Sequence, residues 1–345
     1  MTKRISMQAL IDFGVSFLTK RGVPDEAALE VSRVAVESEA FRQSSHGLVQ
    51  FTVADRELGI SIDATRIPIV KKQIGCSSAI IDGYRCLSPL SMRLARNTAM
   101  HFARQTGIGF VSIPATSWIG ALSTHILPVA EAGMLVQLWA QNNTCKDSAP
   151  LGGCDPRFST NPIAIGFPAD GAQVIADFST STMAMGMARI LIDNKQKCNT
   201  LRFLDKDGVP TNDPSVMDNE GTLMFMGGDV DGHKGYALSL FNEALTVLGG
   251  GSAHNLEAEP QQSCAMLVLN PESFCGKKYF DKEMKRFMKH VKSSRLSPGN
   301  NAIRLPGERG IKALEACRKN GIPLDESKLG LLRQIALNNG IEPIK

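Results

Sequence analysis

The sequence predicts an α/β protein built around a central sheet. Three observations lead there. Apolar residues recur at helical spacing near both ends of the chain, short β-rich runs crowd its middle, and clusters of Gly, Pro, Asn and Ser separate those runs as turns. A length of 345 residues suffices for one large or two ordinary domains.

Leu10, Phe13 and Phe17 mark a first helix, which Gly22 and Pro24 end. Asp25 reads as the N-cap of a second helix with Ala28, Val31, Val34 and Ala35 on its apolar face. His46 follows that helix closely. Ser88-Pro89 reads as an N-cap with proline at the first helical position; Leu90, Leu94, Ala99 and Phe102 continue the pattern, and Gly107 closes it. Strands are expected over 109–113, 135–140, 162–167, 174–178 and 265–269, with the clearest intervening helix over 236–248. From residue 282 onward amphipathic helices return. Pro306-Gly307-Glu308 opens one, and Gly321 with Pro323 separates two others.

Composition narrows the class. Hydrophobic residues make up 43% of the chain and charged residues 21%, the balance of an ordinary globular protein. A net charge of +4, dispersed along the chain, gives no basic face for nucleic acid. The densest basic run, 285–295, reads as the solvated side of a surface helix. No two of the eight cysteines stand at zinc-knuckle spacing, so no metal site is expected. No apolar run has transmembrane length, and a charged helical pattern follows Thr2-Lys3-Arg4 where a signal peptide would be apolar. The expectation is a cytoplasmic protein with free thiols and no membrane partner.

The usual dinucleotide fingerprint is absent: Gly107-Ile108-Gly109 lacks the third glycine at the required spacing. The chemistry must sit in three other segments. In Ser45-His46-Gly47, an imidazole that titrates near neutral pH can both take and give a proton. Asp177 closes a β-rich run, where an open sheet presents residues to its ligand, and a carboxylate there can orient an imidazole. His233 and Lys234 lie between Gly232 and Gly235, ahead of the helix expected near Tyr236. That is either an anion site at a helix start or a plain glycine turn. Arg157 likewise has two readings, a bidentate clamp for a carboxylate or a loop ion pair.

Taken in order, these segments resemble the malate/L-lactate dehydrogenase family that lacks a Rossmann fold, which includes ureidoglycolate dehydrogenase, diketogulonate reductase, sulfolactate dehydrogenase and cyclic imino-acid reductases. The run Ser44-Ser45-His46-Gly47 is similar to its Ser-His-Gly signature, Thr160-Asn161-Pro162 to its Thr-Asn-Pro turn, and Gly232 to Tyr236 to its His-Lys-Gly-Tyr turn. Leu305-Pro306-Gly307-Glu308 is similar to a late loop that touches the dinucleotide. The resemblance covers nearly the whole chain. It implies a central mixed sheet with a helical domain made from both termini, residues 1–75 plus 282–345, around a sheet-containing domain over 76–281. It implies NAD or NADP as cofactor and a homodimer.

The resemblance also assigns roles. His46 would move the proton, with Asp177 beside it. Ser45, Gln50, Trp118, Arg157 and Thr160 would meet substrate. Asp177, Phe178, Ser179, Thr180, Ser181, His233, Lys234, Pro306, Gly307 and Glu308 would meet the dinucleotide. Departures from the family pattern gather at the pocket. Gln50 stands where an arginine usually contacts the substrate acid, and Trp118 stands where some members have a histidine. Leu151 replaces a frequent tryptophan, and Met185 and Met187 replace basic residues. The implied activity is hydride transfer between nicotinamide and a 2-oxo/2-hydroxy acid or cyclic 2-imino acid. The alternative is a relative that binds dinucleotide without turnover.

Overall fold

The computed structural model describes residues 2–169 and 171–344. Ten α-helices occur among them. They are α1 (Met7–Lys20), α2 (Asp25–Ala40), α3 (Val49–Glu57), α4 (Ser88–Thr106), α5 (Leu122–Glu131), α6 (Met185–Asp193), α7 (Gly228–Thr246), α8 (Lys277–Lys292), α9 (Glu308–Asn320) and α10 (Glu326–Asn339). The main sheet is formed by β2 (Ile69–Ile74), β3 (Ser78–Asp82), β4 (Ile108–Thr116), β5 (Leu135–Asn142), β6 (Ile163–Ala169), β7 (Ala172–Phe178) and β11 (Gln262–Leu269). Its order is β2-β3-β4-β11-β5-β6-β7. Only β3 and β4 run parallel, joined through α4; every other neighbouring pair is antiparallel. A dinucleotide fold of the doubly wound kind needs a mostly parallel sheet, so this mixed sheet is a different architecture.

All five strands expected from the sequence are present. β2 lies at the sheet edge with every residue exposed, so it carries no alternation to read. Two small sheets complete the fold. One joins β8 (Phe203–Leu204), β9 (Pro210–Thr211) and β10 (Thr222–Leu223). The other pairs β1 (Lys3–Ile5) with β12 (Ile322–Leu324), so the segment between α9 and α10 is a strand tied to the N-terminus.

The terminal helices pack together, α1 and α3 against α10 and α2 against α9. They do not enclose a separate core. Leu10, Phe17, Phe51, Met92, Ile113, Ile126, Leu138 and Leu332 belong to one buried cluster running from the terminal helices into the sheet. The expected boundary at residue 75 falls inside the β2–β3 hairpin, and the one at 282 falls inside α8.

Two caps differ from expectation. Asp25 is the first residue of α2, and Pro24 holds the cap position without a side-chain bond. Ser88 begins α4 after Leu87, and its hydroxyl donates to the Trp118 carbonyl instead of capping the helix. That bond ties α4 to the loop carrying Trp118.

Gly109 is where α4 and β4 come closest: a Cβ there would stand 1.9 Å from the Ala99 carbonyl oxygen. Gly109→Ala should therefore lower unfolding free energy by about 3 kcal/mol or more, the upper end for overpacking. Gly330→Ala serves as the control, since nothing lies within 4 Å of a Cβ there in mid-α10. It should raise stability by about 0.5–1 kcal/mol. Urea unfolding of both variants checks the pair; equal effects would contradict the close approach.

Candidate active site

The site starts from a turn clamped by a buried carboxylate. Glu39, on the last turn of α2, is 8% exposed. Its Oε2 accepts the Leu48 amide at 3.2 Å, and its Oε1 is paired with Lys328 of α10. Gly47 packs on the same place: a Cβ would lie 2.4 Å from Glu39 Oε2 and 2.8 Å from its backbone. The His46 amide donates to the Gln43 carbonyl at 2.8 Å. Gln50 Nε2 donates to the His46 carbonyl at 2.8 Å. Glu39 and Gln50 thus hold the backbone on both sides of His46.

The imidazole is held as firmly. Ser45 Oγ lies 2.8 Å from Nδ1, as donor or acceptor according to the tautomer, which leaves Nε2 for a ligand. The Trp118 indole stacks on the ring at 5.3 Å between centroids and 29° between planes. Burial holds the His46 pKa below its ordinary value. The Trp118 loop is anchored in turn, with the Ile119 amide donating to Gln262 Oε1 at 2.7 Å and the Ile119 carbonyl accepting from His125 Nε2 at 3.1 Å. His125 is buried in α5, and burial pushes its pKa down to about 4.

His46, Ser45, Trp118 and Thr160 line a cavity of about 320 Å³ with Gln141, Asn142, Asp147 and Met185. Asp147 is 8% exposed. Burial pushes its carboxyl up to about 6, against the Thr160 amide and the more distant Arg189 guanidinium. Among the described residues, no lysine or arginine lines this cavity. Beyond Trp118, Asn142 and Gln262 it adjoins a cavity of about 640 Å³ that holds Arg56, Arg85, Glu57 and Glu259.

A third cavity, about 720 Å³, is lined by Asp177, Ser123, Gln43, Pro306 and Gly307 with Arg42, Arg304 and Arg309. Gln43 and Ser123 in its wall are close in sequence to Ser45 and Leu122 in the wall of the His46 cavity. Asp177 Oδ2 accepts the Ser123 amide at 2.8 Å. It caps α5, whose own cap residue Ala121 contributes no side chain. Burial pushes the Asp177 carboxyl up, against the amides of Ser123 and Leu122. No hydrogen bond joins Asp177 to His46 among the described residues; the imidazole's partner is Ser45.

Phe178 packs with the cluster of Trp139, Ile163 and Ala265. Ser179 and Ser181 bond locally to the backbone, and Thr180 bonds to the Thr160 carbonyl at 3.0 Å, supporting the wall from behind. Gln50 is buried behind the His46 turn, against Gly120, and does not line the cavity. His233 and Lys234 lie within α7, which begins at Gly228 instead of near Tyr236, so they are not at its N-terminus. Both are exposed, and Lys234 pairs with Asp231 at 2.8 Å. Arg157 forms the loop ion pair, with Asp155 at 2.9 Å, and lines none of these cavities. Glu308 begins α9 and pairs with Lys292.

Sequence reasoning missed Glu39, His125 and Asp147. His125 had a readable signal, a histidine on an apolar helical face beside Leu122 and Ile126. Asp147 had none, since it follows Asn142, Asn143 and Thr144 in a stretch that reads as a turn. Among the described residues, no three His, Cys, Asp or Glu side chains gather to hold a metal ion.

Residues 5–333 match the sequence model of the family described as malate/L-lactate dehydrogenase. The chain is 29% identical to a malate dehydrogenase of Pyrococcus abyssi, over 99% of this chain and 96% of that one. It is 26% identical to a Δ1-pyrroline-2-carboxylate/Δ1-piperideine-2-carboxylate reductase of Pseudomonas syringae pv. tomato, over 97% of each. The sulfolactate dehydrogenase structure from Methanocaldococcus jannaschii superposes with a TM-score of 0.86 at 25% identity, covering 99% of this chain and 98% of that one.

Two expectations follow from this geometry. Lys328→Met would strand the Glu39 carboxylate without its cation and should lower unfolding free energy by about 3 kcal/mol; a loss within experimental error in urea would remove the clamp. The second concerns pH. His125 is neutral when folded down to about 4, whereas the unfolded chain protonates it below its ordinary 6.5. Between those values the unfolded state binds more protons, so this histidine's contribution to stability is complete above 6.5 and falls as pH drops. The raised carboxyls of Asp147 and Asp177 act in the opposite sense, so the readout is a difference. His125→Gln should be less stable than the native protein at pH 7.5, and the gap should narrow by about 2–3 kcal/mol on reaching pH 4.5. A gap that stays constant in urea titrations across that range would disprove the assignment.

Proposed function

Because the chain belongs to the malate/L-lactate dehydrogenase family of oxidoreductases, we propose that it is a nicotinamide-dependent enzyme. It interconverts a 2-oxo acid, or a cyclic 2-imino acid, with the reduced form. The observation that carries this reading is His46, clamped by its turn, stacked by Trp118 and, with Nδ1 held by Ser45, lining a small cavity beside Gln141, Asn142 and Asp147.

The residues present fit a nicotinamide dinucleotide. Gln141, in the wall of the His46 cavity, has an Oε1 buried without a hydrogen-bond partner, the kind of acceptor a carboxamide satisfies. The cavity beside Pro306-Gly307 carries Arg42, Arg304 and Arg309, none ion-paired among the described residues, and the first turn of α9 faces the same place. Guanidinium groups and a helix N-terminus suit phosphate oxygens. Gln43 and Ser123 of the arginine-lined cavity neighbour Ser45 and Leu122 of the His46 cavity in sequence, so a two-part cofactor, NAD or NADP, would lie along the 43–46 turn and the start of α5. When bound, the nicotinamide supplies or accepts the hydride.

The protein's part is positional and acid–base. Nε2 of His46 gives a proton to the substrate oxygen as a carbonyl is reduced, and takes it back as a hydroxyl is oxidised. Ser45 fixes the ring through Nδ1. Trp118 covers one face and excludes water. Asp177 holds the start of α5, and hence the wall between the two cavities. A homodimer completes the proposal. It is supported by α7, which leaves Val230, Leu240 and Phe241 exposed. A reducing cytoplasm accords with eight free cysteines.

NADH or NADPH should raise the melting temperature, because a ligand bound only by the folded state stabilises it by mass action. Absence of a shift with either at millimolar concentration would refute the dinucleotide reading. His46→Ala should lower turnover of 2-oxo acids by about 10²-fold or more and leave cofactor affinity nearly unchanged. Near-native turnover in that variant would assign the proton to another group. A cofactor that binds but is never oxidised, across oxo and imino acids, would favour a binding protein without turnover.

A further inference from the structure

The His46 cavity has an uncommon charge balance for a site that is to hold an organic acid. Among the described residues, its one acidic side chain is Asp147, and no lysine or arginine shares its lining. Asp147 is not a loose surface residue that drifts into the pocket. Its amide donates to the Phe158 carbonyl at 3.0 Å and its carbonyl accepts the Leu223 amide at 2.8 Å. Ser148, next in sequence, bridges the strand segments at Phe158 and Leu223. The backbone is therefore fixed from two sides, and the side chain is 8% exposed. Arg189, the one cation acting on the carboxyl among the described residues, is exposed and pairs with Asp218. Arg56 and Arg85 belong to the neighbouring cavity, beyond Trp118.

A buried carboxylate without a cation is costly, and a ligand that brings the missing positive charge recovers that cost. A ligand bringing a second carboxylate does the reverse, since like charges repel strongly where water is excluded. We propose that Asp147 is the specificity-determining residue of this cavity, selecting a substrate that carries a protonated nitrogen, a cyclic 2-iminium acid, and rejecting dicarboxylates. The inference rests on the redox reading above and names its substrate class.

The chemistry balances without a further co-reactant. The iminium carbon takes the hydride from reduced nicotinamide, and the C=N electron pair moves onto nitrogen. The products are a neutral cyclic amine and oxidised cofactor. No proton has to reach nitrogen in that step, because it is already there. Asp147 binds the N–H.

The test compares kcat/KM for Δ1-piperideine-2-carboxylate, pyruvate and oxaloacetate in the native protein, Asp147→Asn and Asp147→Ser, with saturating NADH or NADPH. Melting curves check folding. Asparagine keeps an acceptor for the Thr160 amide and loses the charge. The native protein should prefer the cyclic imine over oxaloacetate. Both variants should lose at least tenfold on the imine and gain on oxaloacetate, so that the ratio shifts by about a hundredfold or more. Equal losses on all three substrates would make Asp147 structural and overturn the proposal. So would an unchanged ratio, including one accompanied by an altered NAD⁺ to NADH affinity ratio, which would assign the carboxylate to the cofactor's charge. If neither variant folds, native preference decides: a higher kcat/KM for oxaloacetate than for the imine overturns it. Calorimetry with L-pipecolate and L-malate separates the two levels of inference. Tighter pipecolate binding, weakened at least tenfold in Asp147→Asn, would support the charge selection even if no cofactor were oxidised. In that case only the redox reading would fall.

Discussion

The Glu39 carboxylate is the constraint from which the site follows. It is buried at the end of α2, and its two oxygens serve different parts of the chain: one holds the Leu48 amide and the other meets Lys328. Through the first it fixes the turn that carries His46. Through the second it makes the position of α10 a condition for that turn. A buried carboxylate is tolerated only with such partners, so the N-terminal turn and the C-terminal helix form together. The β1–β12 pairing closes the same connection a second time, with Ile5 opposite Ile322. The long middle of the chain, which supplies most of the cavity wall, is thereby docked onto a histidine held by the two ends.

The opposite wall is governed by the start of α5. Asp177 reaches across from β7 to cap the helix, and His125 reaches back from inside it to hold the Ile119 carbonyl. The loop between carries Trp118, which then has little choice but to lie on the imidazole. Both anchors are polar groups in buried surroundings, and burial displaces the titration of each. Such groups add little net stability, but once satisfied they admit one geometry. That is what a site needs when a proton donor and a flat cofactor must meet at fixed separation.

Much of the fold was legible in the sequence because its signals were local. The runs that became β4, β5, β6, β7 and β11 are rich in Val, Ile, Leu, Phe and Ala and end at turn residues. What was not legible depended on pairing and close packing that no local pattern carries. β2 is formed by pairing with β3 and has no buried face to impose alternation. The first turns of α7 contain Gly228, Gly232 and Gly235, which propensity reads as a loop; Gly235 is there because a Cβ would meet the Met226 amide at 2.5 Å. In the site, the Ser45-His46 pair and Trp118 were legible as motif positions, and the structure brings them together. Gln50 was read as facing substrate because its motif position suggested it, yet its amide turns back to the His46 carbonyl. Asp147 could not be found, since only the pairing of residues 147–148 with Phe158 and Leu223 brings it to the cavity.

The same fold serves relatives named for malate, for sulfolactate and for cyclic imino acids, so the scaffold does not choose the substrate. The cavity wall does. Burial keeps the His46 pKa below its ordinary value, and Trp118 lies stacked on the ring. A carbonyl becoming a hydroxyl takes a proton at oxygen, which His46 supplies in the reading proposed above, whereas an iminium becoming an amine takes none. In the proposal above, Asp147 supplies negative charge where an iminium carries its positive charge. On that proposal the wall's carboxylate, and not its imidazole, is what separates C=N from C=O reduction.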